Sequence, residues 1–152
     1  MNLNTILSPN LVLSQMKNIT TKKQVLETIS SLINETDHDV KYQDILEALQ
    51  HRERLGSTAI GYGAAIPHAR VKNLKYPASI VLTLQHPIDF ESTEELCNQP
   101  VDIVFSLLVP NDATQEELNI LLEIESRLRN QQYRDKLRKA ITHHKLFEAA
   151  KK

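Results

Sequence analysis

Residues 101–110 read VDIVFSLLVP, and residues 78–85 read ASIVLTLQ. Both segments are short, rich in β-branched residues and bounded by proline, and the first is almost continuously apolar. A strand with one wet face alternates apolar and polar residues, whereas one that does not alternate is buried on both faces. Such strands need helices above and below their sheet. This pair of segments therefore restricts the chain to a layered α/β fold.

The helices to cover that sheet are readable. TTKKQVLETISSLINE carries Thr21 and Gln24 at capping-box spacing, with Val25, Ile29, Leu32 and Ile33 on one face. A second helix spans roughly Lys41 to Arg54, with Tyr42, Ile45, Leu46 and Leu49 as its apolar stripe, and stops at Gly56. After Pro110 a long helix runs from about Thr114 to Arg129, and shorter ones follow near Tyr133 to Lys139 and His143 to Ala149. AAIPHAR reads as a third, shorter strand around Ala64 to Ile66. With no repeats, low-complexity tracts or long linkers, residues 1–152 are expected to form a single domain, a mixed β-sheet flanked by helices on both faces.

Charge narrows the function. Eighteen Lys and Arg against nineteen Asp and Glu leave a formal net charge of −1, with no basic run. A nucleic-acid surface needs concentrated positive charge, so none is expected. Cys97 stands alone, which excludes an intramolecular disulfide and argues against a cysteine-based metal site. No signal peptide is evident at MNLNTILSPN, and the longest apolar run falls far short of the ~20 residues that span a bilayer. A soluble cytoplasmic protein without membrane insertion is expected.

GSTAIGYGAAIPHAR, residues 56–70, holds all three glycines of the chain, Gly56, Gly61 and Gly63, just upstream of His68. Glycines cluster where backbone needs positive φ or passes close to another group. An irregular helix-to-strand connection would account for them, and so would amides opened toward an anion. The spacing matches neither G-x-x-x-x-G-K-[ST] nor G-x-G-x-x-G, so a nucleotide site is not indicated. What is left is a histidine presented behind Pro67, in a loop that also carries the Ser57 and Thr58 hydroxyls. An imidazole that is largely neutral near pH 7 is a competent nucleophile. Arg52 is the second candidate. It extends the buried stripe of its helix, seven residues after Ile45 and three after Leu49, where a guanidinium needs a partner.

HRERLGSTAIGYGAAIPHAR resembles the active-site segment of the type-2 EIIA domains of the bacterial phosphoenolpyruvate-dependent phosphotransferase system, and NQPVDIVFSLLVP resembles that family's second characteristic block. The likeness covers essentially the whole chain, and a standalone domain is most similar to the nitrogen-related regulatory branch. The resemblance implies that His68 accepts a phosphoryl group at Nε2 from an HPr/NPr-type phosphocarrier protein, with no metal or organic cofactor. Arg52 would stabilise the phosphoryl group, while Ser57, Thr58, Gly61 and Gly63 would bind its oxygens. Regulated targets in that branch include potassium transporters and sensor kinases.

One departure stands out. Where the family has a second histidine, in HLxxL after the LVP block, this chain has Glu117. Thr114 and Glu117 also have capping-box spacing, which is reason enough for a glutamate there. Glu117 is nevertheless expected to accept a hydrogen bond from the other ring nitrogen of His68 and, if ionised, to shorten the life of a phosphorylated state. Two alternative readings follow: an EIIA subunit feeding a fructose- or hexitol-type sugar permease, and a binding-only module that is never phosphorylated. A hydrolase with His68 as base lacks a neighbouring serine, cysteine or metal-ligand set. His143 and His144 fall at a helix start and point in different directions, so no metal site is expected there.

Overall fold

The computed structural model describes residues 2–151. Its helices are α1 (Leu3–Ile6), α2 (Lys22–Thr36), α3 (Tyr42–Arg54), α4 (Gln115–Arg129), α5 (Gln131–Lys139) and α6 (His143–Lys151). Its strands are β1 (Val12–Met16), β2 (Ala59–Gly61), β3 (Ala64–Ala65), β4 (His68–Val71), β5 (Ala78–Ile88) and β6 (Val101–Pro110).

The strands form one mixed sheet in the order β1-β5-β6-β3-β2. The two segments that dictated the fold class, β5 and β6, are its antiparallel centre, with Val81 opposite Phe105 and Leu82 opposite Val104. Alternate side chains of β6 serve opposite cores. Ile103, Phe105, Leu107 and Val109 face Ile120, Ile124 and Leu128 of α4, together with side chains of α5 and α6. Val104 and Leu108 face Val25, Ile29 and Ile33 of α2 and Ile45 and Leu49 of α3. Each fully buried Leu or Ile adds roughly 1.5–3 kcal/mol, which is why an unbroken apolar run is tolerated here and nowhere on the surface. A mixed α/β domain with both sheet faces covered is thus the observed architecture.

The boundaries of α2 to α6 agree with the sequence to within two residues at each end, whereas the four-residue α1 was not anticipated. Thr21 caps α2, accepting the Gln24 N–H at 3.1 Å while the Gln24 side chain returns to the Thr21 N–H at 3.2 Å. The strands at the sheet edge were less legible. The short stretch expected around Ala64 to Ile66 is one of three pieces. β2 and β3 form a hairpin, and β3 and β4 lie in succession along the same edge of β6, with Ala64 beside Ile103 and His68 beside Leu107. Pro67 sits between them and accepts the Leu107 N–H at 3.0 Å. A residue without an N–H suits a point where the chain changes strand without leaving the sheet. His68 therefore begins a strand rather than ending one.

Candidate active site

Three segments meet at His68: the end of α3, the loop from Gly56 to Thr58, and the Ile66–His68 step onto β4. Helix α3 stops because Gly56 takes φ +149°, and its N–H turns back to Glu53 O at 3.1 Å. That turn leaves the Gly56 carbonyl facing the helix, where it accepts Arg52 Nη1 at 2.7 Å. The guanidinium is thereby held across the last turn, with its Nε–H 3.3 Å from His68 Nε2.

The other ring nitrogen, Nδ1, lies 2.8 Å from the carbonyl oxygen of Ile66. A carbonyl can only accept, so Nδ1 carries the proton; Arg52 Nε can only donate, so Nε2 carries the lone pair. Both contacts select the same neutral tautomer. Burial is the main influence on His68 and holds its imidazole below the ordinary 6.5; the Ile66 hydrogen bond opposes this, Arg52 adds to it, and Glu53 opposes it. The ring is consequently mostly neutral at pH 7, and His68 lines solvent-accessible space.

That space is an open cavity of about 410 Å³ lined by Ala48, His51, Arg52, Leu55, His68, Ala69, Arg70, Leu107, Val109, Leu118 and Leu121. A smaller cavity of about 160 Å³ continues past His68 to Ser57 and Thr58. The walls are mostly apolar, with Leu55 at the rim 73% exposed. Arg70 bonds the carbonyls of Asn111 and Ala113 at 3.1 Å each, tying β4 to the turn that leads into α4. Among the described residues no group of three or more His, Cys, Asp or Glu side chains is placed to hold a metal ion.

Arg52 and His68 are thus brought together as the sequence suggested, and Ser57 and Thr58 lie beside them. Both hydroxyls are already engaged: Ser57 Oγ donates to Phe90 O at 3.1 Å, and Thr58 Oγ1 donates to the Glu53 carboxylate. The glycines correct the sequence reading. Gly61 and Gly63 flank Tyr62 in the turn of the β2–β3 hairpin, where all three residues have positive φ. A Cβ on Gly63 would lie 2.6 Å from Arg138 Nη2, which itself binds Tyr62 O at 2.6 Å and Asp102 Oδ1 at 2.9 Å. Gly63 O accepts the N–H groups of Asp102 and Ile103, four residues along β6 from the Leu107 that pairs with His68, about 13 Å at ~3.3 Å per residue. These two glycines serve a tight turn and a close approach, not the oxygens of an anion at His68.

Glu117 is the second correction. Its carboxylate accepts from the Thr114 N–H at 2.9 Å and from the Thr114 hydroxyl, the capping box anticipated for α4, and these bonds lower its pKa. Leu118 and Leu121, one and four residues on, line the His68 cavity. The expected hydrogen bond from His68 to Glu117 is absent because the Ile66 carbonyl already takes Nδ1.

Two participants had no legible signal. A backbone carbonyl such as that of Ile66 carries no residue identity. Glu53 is masked by its neighbour in the Arg-Glu pair, and its side chain is 6% exposed, 2.8 Å from Lys22 Nζ. His143 lies apart from the site, accepting the Ser14 N–H at Nδ1 over 2.9 Å.

The site thus consists of one tautomerically fixed imidazole beside a guanidinium, at the mouth of an apolar cavity of a small α/β domain. Residues 5–152 match the family model described as phosphoenolpyruvate-dependent sugar phosphotransferase system, EIIA 2, and the chain belongs to that family. It is 42% identical over 127 residues to a nitrogen regulatory protein of Pseudomonas aeruginosa, spanning 84% of this chain and 80% of that one. A nitrogen regulatory protein of Bradyrhizobium diazoefficiens is 38% identical over 133 residues, 88% of this chain and 84% of the relative. The crystal structure of nitrogen regulatory protein IIA-Ntr from Neisseria meningitidis superposes with a TM-score of 0.84 at 27% identity, covering 96% of this chain and 97% of that one.

Proposed function

We propose that this protein is a phosphoryl carrier of the nitrogen-related phosphotransferase system. It accepts phosphate at His68 Nε2 from a histidine-phosphorylated carrier protein of the HPr/NPr type and regulates partner proteins according to its phosphorylation state. The observation that carries the reading is the pair of contacts that puts the ring proton on Nδ1 and the lone pair on Nε2, beside the Arg52 guanidinium.

In the transfer, the carrier's N–P bond breaks and its electron pair returns to the carrier imidazole as the Nε2–P bond forms. The His68 ring gains positive charge, which the hydrogen bond from Nδ1–H to the Ile66 carbonyl stabilises. Arg52 yields its contact with Nε2 and turns the same Nε–H toward the phosphoryl oxygens, while the Gly56 carbonyl keeps the guanidinium from drifting. The reaction rests on positioning and charge stabilisation. The apolar walls and the exposed Leu55 suit a protein donor, since the buried core of such interfaces is more apolar than the surrounding surface.

The reading is tested by intact mass after incubation with phosphoenolpyruvate, enzyme I and the cognate carrier, beside a His68→Ala control. One acid-labile phosphoryl adduct that vanishes in the variant is expected. No adduct on folded wild-type protein, with a competent carrier, would overturn it and favour a binding-only module. A sugar-transport role would show itself by onward transfer to an EIIB protein.

A further inference from the structure

Glu53 is an unlikely residue for its place on electrostatic grounds. It lies in the last turn of α3, where the helix dipole disfavours negative charge, and its side chain is almost wholly buried. Removing a carboxylate from water is costly unless its acceptor positions are filled. Here they are. Oε1 accepts the Thr58 N–H at 3.1 Å and lies 2.8 Å from Lys22 Nζ, and Oε2 accepts the Thr58 hydroxyl. Lys22 is itself buried, with Nζ 5.0 Å from the centre of the Phe90 ring.

What Thr58 does next connects this carboxylate to the imidazole. The Thr58 carbonyl accepts the Ile66 N–H at 3.0 Å, and the Ile66 carbonyl takes His68 Nδ1. At the other end of the same short loop, the Gly56 carbonyl holds Arg52 Nη1, while its N–H is bonded to the carbonyl of Glu53 itself. One residue thus fastens both ends of residues 56–58: its backbone the end that anchors Arg52, its side chain the end that fixes the orientation of Ile66.

We propose that Glu53, acting through Thr58, is the positioning residue that holds Arg52 and the Nδ1–H tautomer of His68 in register. The proposal rests on the reading of His68 as phosphoryl acceptor for its consequence, but not for its geometry. Removing the carboxylate charge releases Lys22 and weakens the hold on Thr58; the Ile66 carbonyl then no longer meets Nδ1 squarely, and both neutral tautomers become populated. A displacement of the order of 1 Å at a reacting group costs about 100-fold in rate, so even partial release lowers phosphoryl transfer by about tenfold or more.

The experiment uses full-length protein with ¹⁵N-labelled histidine, comparing wild type, Glu53→Gln, Thr58→Val and Thr58→Ser. The ring-nitrogen shifts of His68 report the tautomer, and rapid-quench mass measurement reports the rate of phosphoryl acceptance. Wild type and Thr58→Ser are expected to show the Nδ1–H tautomer and similar rates. Glu53→Gln and Thr58→Val are expected to show mixed tautomers and slower transfer at an unchanged backbone spectrum. Should Glu53→Gln fail to fold, the Thr58 pair decides, since Thr58→Ser keeps the hydroxyl and Thr58→Val replaces it by a methyl group. A folded Glu53→Gln, or failing that Thr58→Val, with the wild-type tautomer and rate would overturn the proposal, even if its His68 titrates at a lower pH. If wild-type protein takes no phosphoryl group, the carrier reading fails, while the tautomer comparison still decides the role of Glu53.

Discussion

Replacing Gly63 by alanine separates two explanations of the same glycine. If it lay at the phosphoryl site, the substitution would disturb transfer; the structure instead places it in a hairpin turn. At φ +75° an L-residue is strained by roughly 1–2 kcal/mol. The new Cβ would also lie 2.6 Å from Arg138 Nη2, 3.3 Å from Asp102 Oδ1 and 3.4 Å from the Pro100 carbonyl. At 3.4 Å the Pro100 carbonyl is in ordinary contact and need not move. Arg138 must, and its bonds to Asp102 and Tyr62 O are then distorted. That ion pair is a quarter to a third exposed, so its loss adds only about 0.5–1 kcal/mol. The sum is roughly 1.5–3 kcal/mol of stability, or about 3–12 °C in melting temperature for a domain of this size. Urea and thermal unfolding measure it directly, with phosphoryl acceptance assayed at a temperature where the variant is fully folded. A stability loss with an unchanged transfer rate is expected. A loss below about 0.5 kcal/mol, or slowed transfer in fully folded protein, would refute the assignment of Gly63 to the turn.

Three other outcomes follow from the site. Arg52→Ala should slow phosphoryl acceptance by about 10²–10³-fold in single-turnover assays, and Arg52→Lys should restore only part of it because a point charge does not reproduce the guanidinium fork; full recovery with lysine would contradict the assigned geometry. Since burial holds His68 below 6.5, the unfolded chain binds this proton more readily than the folded one, so the residue's stabilising contribution is complete above 6.5 and declines as pH falls below it. His68→Ala should flatten the acid side of the stability–pH curve, and an unchanged slope would count against the burial argument. Leu55→Ser, at a position 73% exposed, should leave stability within about 0.5 kcal/mol while raising the carrier concentration needed for half-maximal rate several-fold; an unaltered concentration dependence would exclude this rim from docking.

The parts of the fold that were legible are those where one physical requirement leaves one signature. β5 and β6 could only be strands covered on both faces, and the capping box at Thr21 and the stripe of α3 could only belong to helices. β1, with sequence VLSQM, was missed because an edge strand with a polar side has no continuous apolar run. β2 was missed because it is a three-residue strand paired only with the two residues of β3, and β4 because its partner on β6 is remote in sequence. In the site, Arg52 and His68 were readable as residue types that need a partner. The glycines misled because a hairpin turn and an anion cradle both ask for positive φ. The role imagined for Glu117 fell to the Ile66 carbonyl, which no side-chain pattern announces. The Arg138–Asp102 clamp joins residues 36 positions apart and had no local trace.

The most direct measurement is the position of the phosphoryl group on the imidazole. Protein phosphorylated by its carrier, with ¹⁵N in the histidine rings, would be examined at alkaline pH for one-bond ³¹P–¹⁵N coupling. Coupling to Nε2 of His68, with Nδ1 free of phosphorus, is the predicted result. Phosphorus on Nδ1, on any other histidine, or on none would contradict it, because in this structure the Ile66 carbonyl takes the proton-bearing Nδ1 and leaves the lone pair on Nε2.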